Sequence, residues 1–131
     1  MTFDVITENM LQLERIEYCG SSMANGCHTL EALAFYFLEN KRFMLEVNQD
    51  TDELIINDIN SEYRWIDIAN IYPVIAEAYG LMAMWSWKME NQKGYFDAIQ
   101  LELNDSSLRK TKILQFKAAA SGIIVCIVNE L

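Results

Sequence analysis

The sequence predicts an α+β domain: a largely antiparallel sheet of about seven to eight strands, with an N-terminal helix and one short middle helix packed on it. Three observations predict it. Apolar residues recur at helical spacing at the N-terminus and again near Pro73. Elsewhere, short alternating runs are separated by polar or glycine-containing turns, the pattern of a meander. Over residues 81–103, turn chemistry and the hydrophobic alternation of two strands agree with one another.

Phe3, Ile6, Met10 and Leu13 fall on one helical stripe, Thr2 or Asp4 suits its cap, and Glu8 and Glu14 lie off it. This predicts a core-facing amphipathic helix over 2–13. Residues 15–19 then alternate as a strand that stops at Gly20-Ser21-Ser22, and a loop runs to Asn25-Gly26. Residues 30–38 are apolar on both faces around Phe35, Tyr36 and Phe37, which suits a strand covered on both sides, although 30–34 would also pass for helix. After a turn at Asn40-Lys41, Phe43, Leu45 and Val47 face inward against Arg42, Glu46 and Asn48 outward. Residues 49–52 turn again, and 54–57 completes a three-stranded meander.

Between 58 and 79 the pattern is poorest. Trp65, Ile68, Ile71 and Ile75 share helical spacing, Pro73 fits a first turn and Gly80 would follow the end. The expectation is a short helix over 73–79, preceded by a separate helical turn.

The segment 81–103 reads as a β-hairpin. Asn91-Gln92-Lys93-Gly94 matches a type I turn followed by a glycine in the left-handed region. If Asn91 pairs with Tyr95, then Met89 faces Asp97, Trp87 faces Ile99, Trp85 faces Leu101 and Ala83 faces Leu103. Both tryptophans would then share the apolar face with Tyr95, and Asp97 would stand among them as the one charged residue. A carboxylate there must be hydrogen-bonded, paired or neutral. It is either a structural Asp with satisfied partners or a polar group at the mouth of an aromatic-lined pocket. Residues 104–107 turn, and 110–119 is a strand with Lys110, Lys112, Leu114, Phe116 and Ala118 on one face. Ser121-Gly122 turns, and 123–128 is β-branched almost throughout, as suits a central strand or one under a helix. No repeat, low-complexity tract or linker interrupts the chain, so 1–131 reads as a single domain.

A net charge of −9, from 19 acidic and 10 basic residues, argues against binding nucleic acid or an anionic membrane surface. A hydrophobic content of 52% argues against long disorder. Cys19, Cys27 and Cys126 are odd in number and irregular in spacing, which predicts reduced thiols in a cytoplasmic protein. The N-terminus has no signal-peptide pattern, and the apolar run 123–128 is too short to span a bilayer.

Chemistry-bearing motifs are few. Cys19, Cys27 and the single histidine, His28, match no zinc spacing. Asp50, Asp52 and Glu53 lack the glycine of a calcium loop, with Ile55 in its place. No glycine-rich phosphate loop, nucleophile elbow or HExxH is present. Arg109, Lys110, Lys112 and Lys117 read as an ion-paired exposed face, or as lysines guarding an edge strand. Neither metal nor cofactor is implied. The residues that could line a ligand pocket are Trp65, Trp85, Trp87, Tyr95 and Asp97.

The run Trp85-Ser86-Trp87, then Asn91-Gln92-Lys93-Gly94-Tyr95, then Asp97 and Gln100-Leu101-Glu102, resembles the signature of a family of small bacterial proteins of unknown function. The similarity covers this hairpin; elsewhere only the order of elements is similar. The resemblance implies a bacterial, single-domain protein and brings no activity or catalytic residues with it.

The leading functional expectation is a non-enzymatic module that binds another protein. One version is immunity- or antitoxin-like, its acidic surface masking a basic toxin. The alternative is a small-molecule binding domain with an aromatic pocket around Trp85, Trp87, Tyr95 and Asp97. An enzyme would use Asp97 as general acid or base. An apolar sheet face left open would favour a homodimer.

Overall fold

In the computed structural model, which describes residues 2–24, 26–107, 109–119 and 121–128, most of the chain lies in one antiparallel sheet. The elements are α1 (Thr2–Glu8), β1 (Leu13–Ala24), β2 (Cys27–Phe37), β3 (Lys41–Asn48), β4 (Glu53–Asn57) and β5 (Ile66–Asp67). Two 3₁₀ turns follow, Ile68–Asn70 and Pro73–Ala78, then β6 (Met82–Glu90), β7 (Phe96–Asn104), β8 (Thr111–Ala119) and β9 (Gly122–Ile127). The sheet thus has nine strands among the described residues, not seven or eight. The added one is β5, whose two residues are too short to carry a period.

The path runs β4-β3-β2-β9-β8-β7-β6, with β1 on β2 and β5 on β1. β1 occupies one whole edge of β2, and the other edge is divided. Ala32–Phe37 pairs with β3, whereas Leu30 pairs with Ile123 of β9, so the sheet forks at Glu31. The far end curls back toward β1. Gln12 bridges to Met82, and the Leu13 N–H donates to the Leu81 carbonyl at 2.9 Å while the Gly80 N–H donates to that of Leu13 at 2.7 Å. The apolar faces then meet inside the curl. Phe35 of β2 stacks on Phe43 of β3 at 5.1 Å and meets Phe116 of β8 edge-on at 5.0 Å. Phe3 of α1 sits edge-on to both Phe43 and Phe35, at 4.9 and 5.6 Å, so the helix plugs the core with a fully buried ring.

Several local expectations change for identifiable reasons. The helix expected over 2–13 ends at Glu8. Met10 takes φ 48°, the Leu11 N–H donates to the Ile6 carbonyl at 3.1 Å and the Met10 N–H to that of Thr7 at 3.2 Å. This is a Schellman stop with methionine where glycine is usual, so composition did not reveal it. The expected loop at Gly20–Ser22 is strand, because Ser21, Ser22 and Met23 pair with Leu30, Thr29 and His28. Gly20 sits within this continuous pairing at φ +67°. Asn25 lies outside the described residues. The middle helix is 3₁₀ over Pro73–Ala78, with the separate turn Ile68–Asn70 before it.

The largest correction concerns the hairpin. Its turn forms as read: the Asn91 N–H donates to the Tyr95 carbonyl at 3.0 Å, the Gly94 N–H donates to that of Asn91 at 2.9 Å, and Gly94 has φ +80°. Beyond the turn, however, Glu90 pairs with Phe96 and Met89 with Ala98, which leaves Asp97 as an extra residue on β7. Ala83 pairs with Leu103 and Trp85 with Glu102, which leaves Met84 as an extra residue on β6. These two bulges cancel at the ends and shift the middle by one. A shift of one flips every side chain between them. Trp85 and Trp87 therefore face Glu102 and Gln100 on the outer surface, and Ser86 and Lys88 stand across from Leu101 and Ile99.

Candidate functional site

Two surface regions gather side chains that burial and sheet pairing do not require. The first is built from strand register. Arg15 of β1 pairs with Tyr36 of β2, and Tyr36 pairs with Arg42 of β3, so the three form one row across the sheet. Their neighbours Ile16, Phe35 and Phe43 are buried, so alternation turns this row outward. The Arg15 guanidinium lies 3.8 Å from the Tyr36 ring centroid, and its Nε is 3.7 Å from Glu17 Oε2. Arg42 donates to Asn40 Oδ1 and, among the described residues, makes no ion pair. Burial, and after it the hydrogen bond and negative charge of Glu17, push the Tyr36 hydroxyl above its ordinary ionisation range.

The segment after β4 lies beside Tyr36 and Arg42 and lines a cleft with them. The Trp65 indole N–H donates to the Asn60 carbonyl at 2.9 Å, and the Tyr63 hydroxyl donates to Glu46 Oε2 at 3.1 Å. Between segment and sheet lies a cleft of about 530 Å³ lined by Tyr36, Arg42, Asp58, Ile59, Ser61 and Trp65. A smaller one of about 120 Å³, lined by Glu14, Arg15, Tyr36, Phe37, Asn40 and Arg42, shares Tyr36 and Arg42 with it.

The second region is the outer side of β6. Trp85 is 61% exposed, Trp87 44%, and Met10 just beyond α1 50%. Trp85 and Met84 line a shallow groove of about 320 Å³ with Thr7, Glu8 and Met10. β6 ends the strand path, so over Met84–Glu90 its second edge pairs with no strand among the described residues.

The five residues proposed from sequence do not converge. Trp65 belongs to the arginine cleft, Trp85 to the β6 groove, and Trp87 lies exposed along the strand. Tyr95 is half-buried at the hairpin turn, its N–H donating to Asn91 Oδ1 at 3.2 Å. Asp97 is the half-buried bulge residue, and its carboxylate makes no hydrogen bond or ion pair among the described residues. A pocket shared by all five would need the unbulged register. Sequence reasoning missed Arg15, Tyr36 and Arg42. Their alternation with core residues was visible, but the row depends on pairing across two turns.

The profile of one protein family spans residues 1–131. The chain belongs to this family of unknown function, DUF6334. No curated protein and no solved structure matches it. Membership in DUF6334 assigns no reaction, so the chemistry of this DUF6334 chain has to be read from its residues. Cys19 is held above the usual thiol range by burial and by the nearby Glu31 carboxylate. His28 Nδ1 is 2.8 Å from Ser21 Oγ, and its ring packs edge-on to Tyr72. Among the described residues no group of three His, Cys, Asp or Glu side chains is placed to hold a metal, and no helix is long and apolar enough to cross a membrane.

Proposed function

We propose that this chain works by binding another protein through the outer side of β6. The observation that carries the reading is the exposure of Trp85 at 61% and Trp87 at 44% on a strand whose second edge, over Met84–Glu90, pairs with no strand among the described residues. Tryptophan is the residue most enriched where protein interfaces concentrate their energy. A free strand edge offers backbone donors and acceptors to an incoming strand. Met10 extends the apolar surface, and Glu8, Glu90 and Glu102 lie around it. With a net charge of −9, the partner that fits is a protein with an apolar centre and a basic rim. A cytoplasmic bacterial protein that masks a basic toxin would have this chemistry; a second copy of this acidic chain would not.

The test compares affinity capture from the source organism by the wild type and by Trp85→Ser/Trp87→Ser. The expected result is one stoichiometric, basic partner held by the wild type and lost by the double variant, with unchanged thermal melting. Equal capture by both proteins, or capture by neither, refutes the proposal.

A further inference from the structure

We infer that the cleft between Tyr36 and Trp65 is a binding site for a planar heteroaromatic ring carrying an anionic group, the chemistry of a nucleoside monophosphate. This inference is independent of the β6 surface, which lies on other elements.

Four observations carry it. The cleft has two aromatic side chains in its lining, Tyr36 and Trp65, and its volume of about 530 Å³ is in the range of small-ligand sites. Trp65 is fixed by its indole hydrogen bond to the Asn60 carbonyl at 2.9 Å, so the ring is already oriented before any ligand arrives. Aromatic rings and guanidinium planes are the surfaces on which bases stack. Arg42 supplies the cation. In a chain with 19 acidic residues it makes no ion pair among the described residues, and its contact with Asn40 leaves guanidinium donors free. An arginine fork of this kind takes a phosphate in two parallel hydrogen bonds.

The remaining lining narrows the class. Asp58 and Ser61 offer acceptors to ring N–H or sugar hydroxyl donors, which a simple aromatic acid would not use. Asp58 also disfavours a bare anion, since its own charge opposes one. The adjoining depression reaches Arg15, stacked on Tyr36 at 3.8 Å but already paired with Glu17 at 3.7 Å, so Arg42 is the cation left to take the anionic group. The net charge of −9 keeps a polyanionic strand away, whereas the single anionic group of one nucleotide needs only this guanidinium.

The experiment uses the full chain with Trp85→Phe and Trp87→Phe, which leaves Trp65 as its only indole. Fluorescence is titrated with adenosine, guanosine, cytidine and uridine 5′-monophosphates, and separately with adenosine and with inorganic phosphate. The expected result is saturable quenching by at least one nucleotide, tighter than by adenosine or phosphate alone. Arg42→Gln should weaken that nucleotide about ten-fold and leave adenosine nearly unchanged. Trp65→Leu, followed by calorimetry, should weaken both. No saturable binding of any of the four at concentrations up to about 5 mM, enough to fill even a weak site, overturns the inference. So does nucleotide binding that Arg42→Gln leaves intact, or phosphate binding as tight as the nucleotide's. Thermal melting of each variant keeps a folding defect from passing as a binding defect.

Discussion

Replacing Tyr79 with Phe tests how the irregular middle segment is locked to the sheet. The Tyr79 hydroxyl donates to Asp67 Oδ1 at 2.7 Å and accepts from the Ile16 N–H at 3.2 Å. Asp67 also caps the first 3₁₀ turn by accepting from the Ala69 N–H at 2.9 Å. One hydroxyl thus joins β1, β5 and the end of the second 3₁₀ turn. The substitution keeps the ring, so no cavity opens. A hydrogen bond to a carboxylate contributes about 1.5–3 kcal/mol, and a partly buried N–H left unpaired costs about 1–3 kcal/mol. Both losses come from a single oxygen and do not simply add, so the expected loss is roughly 2–4 kcal/mol. For a domain of this size, that lowers the melting temperature by roughly 10 °C. Urea unfolding followed by tryptophan fluorescence gives the free energy directly. Asp67→Asn keeps an oxygen for both donors and should lose only about 1 kcal/mol. A Tyr79→Phe loss below about 0.5 kcal/mol would refute the reasoning, because the hydroxyl would then be replaceable by water.

The same residue gives a pH prediction. Burial, and then the hydrogen bond to Asp67, raise the Tyr79 ionisation well above its ordinary 10.0. The folded state therefore holds the proton longer than the unfolded state. The stability this contributes is complete below pH 10 and is lost as pH climbs through the folded value. Tyr79→Phe should flatten the alkaline part of the stability profile; an unchanged slope assigns it to other groups. Gly122 is buried, and a Cβ there would meet Thr29 Cγ2 at 2.3 Å and the Leu30 carbonyl at 3.0 Å. Gly122→Ala should lose about 1–3 kcal/mol, and adding Thr29→Ser should recover part of it in the same unfolding assay. Asp97→Asn should change stability by less than about 0.5 kcal/mol, since no described partner depends on its charge; a loss above about 2 kcal/mol would make the carboxylate structural.

The elements legible in the sequence were those whose cause is local. Asn91 and Gly94 specify a turn through their own side chain and φ, and both do so here. Phe43, Leu45 and Val47 alternate, and all three are buried. What sequence could not supply depends on distant partners. Gly20 to Met23 reads as loop until β2 pairs with it. Met84 and Asp97 look like ordinary strand residues, yet each is an extra residue that no alternation rule detects. That single slip moved two tryptophans from the expected interior to the surface and dissolved the expected pocket. Trp65 was recognised as a candidate, but the arginine row beside it required the pairing of three strands.

The divided edge of β2 has a consequence for how the protein is made. β3 follows β2 directly along the chain, whereas Ile123 must return to Leu30 after β6, β7 and β8 have been synthesised. Neighbouring hairpins form early and distant pairings late. On the ribosome, the first half of the sheet would therefore wait with its Leu30 margin unpaired, and with the side of Phe35 that meets Phe116 open, even once Phe3 has packed on it. That interval is when the nascent chain is most prone to stick to its neighbours, and when a chaperone would have most to shield.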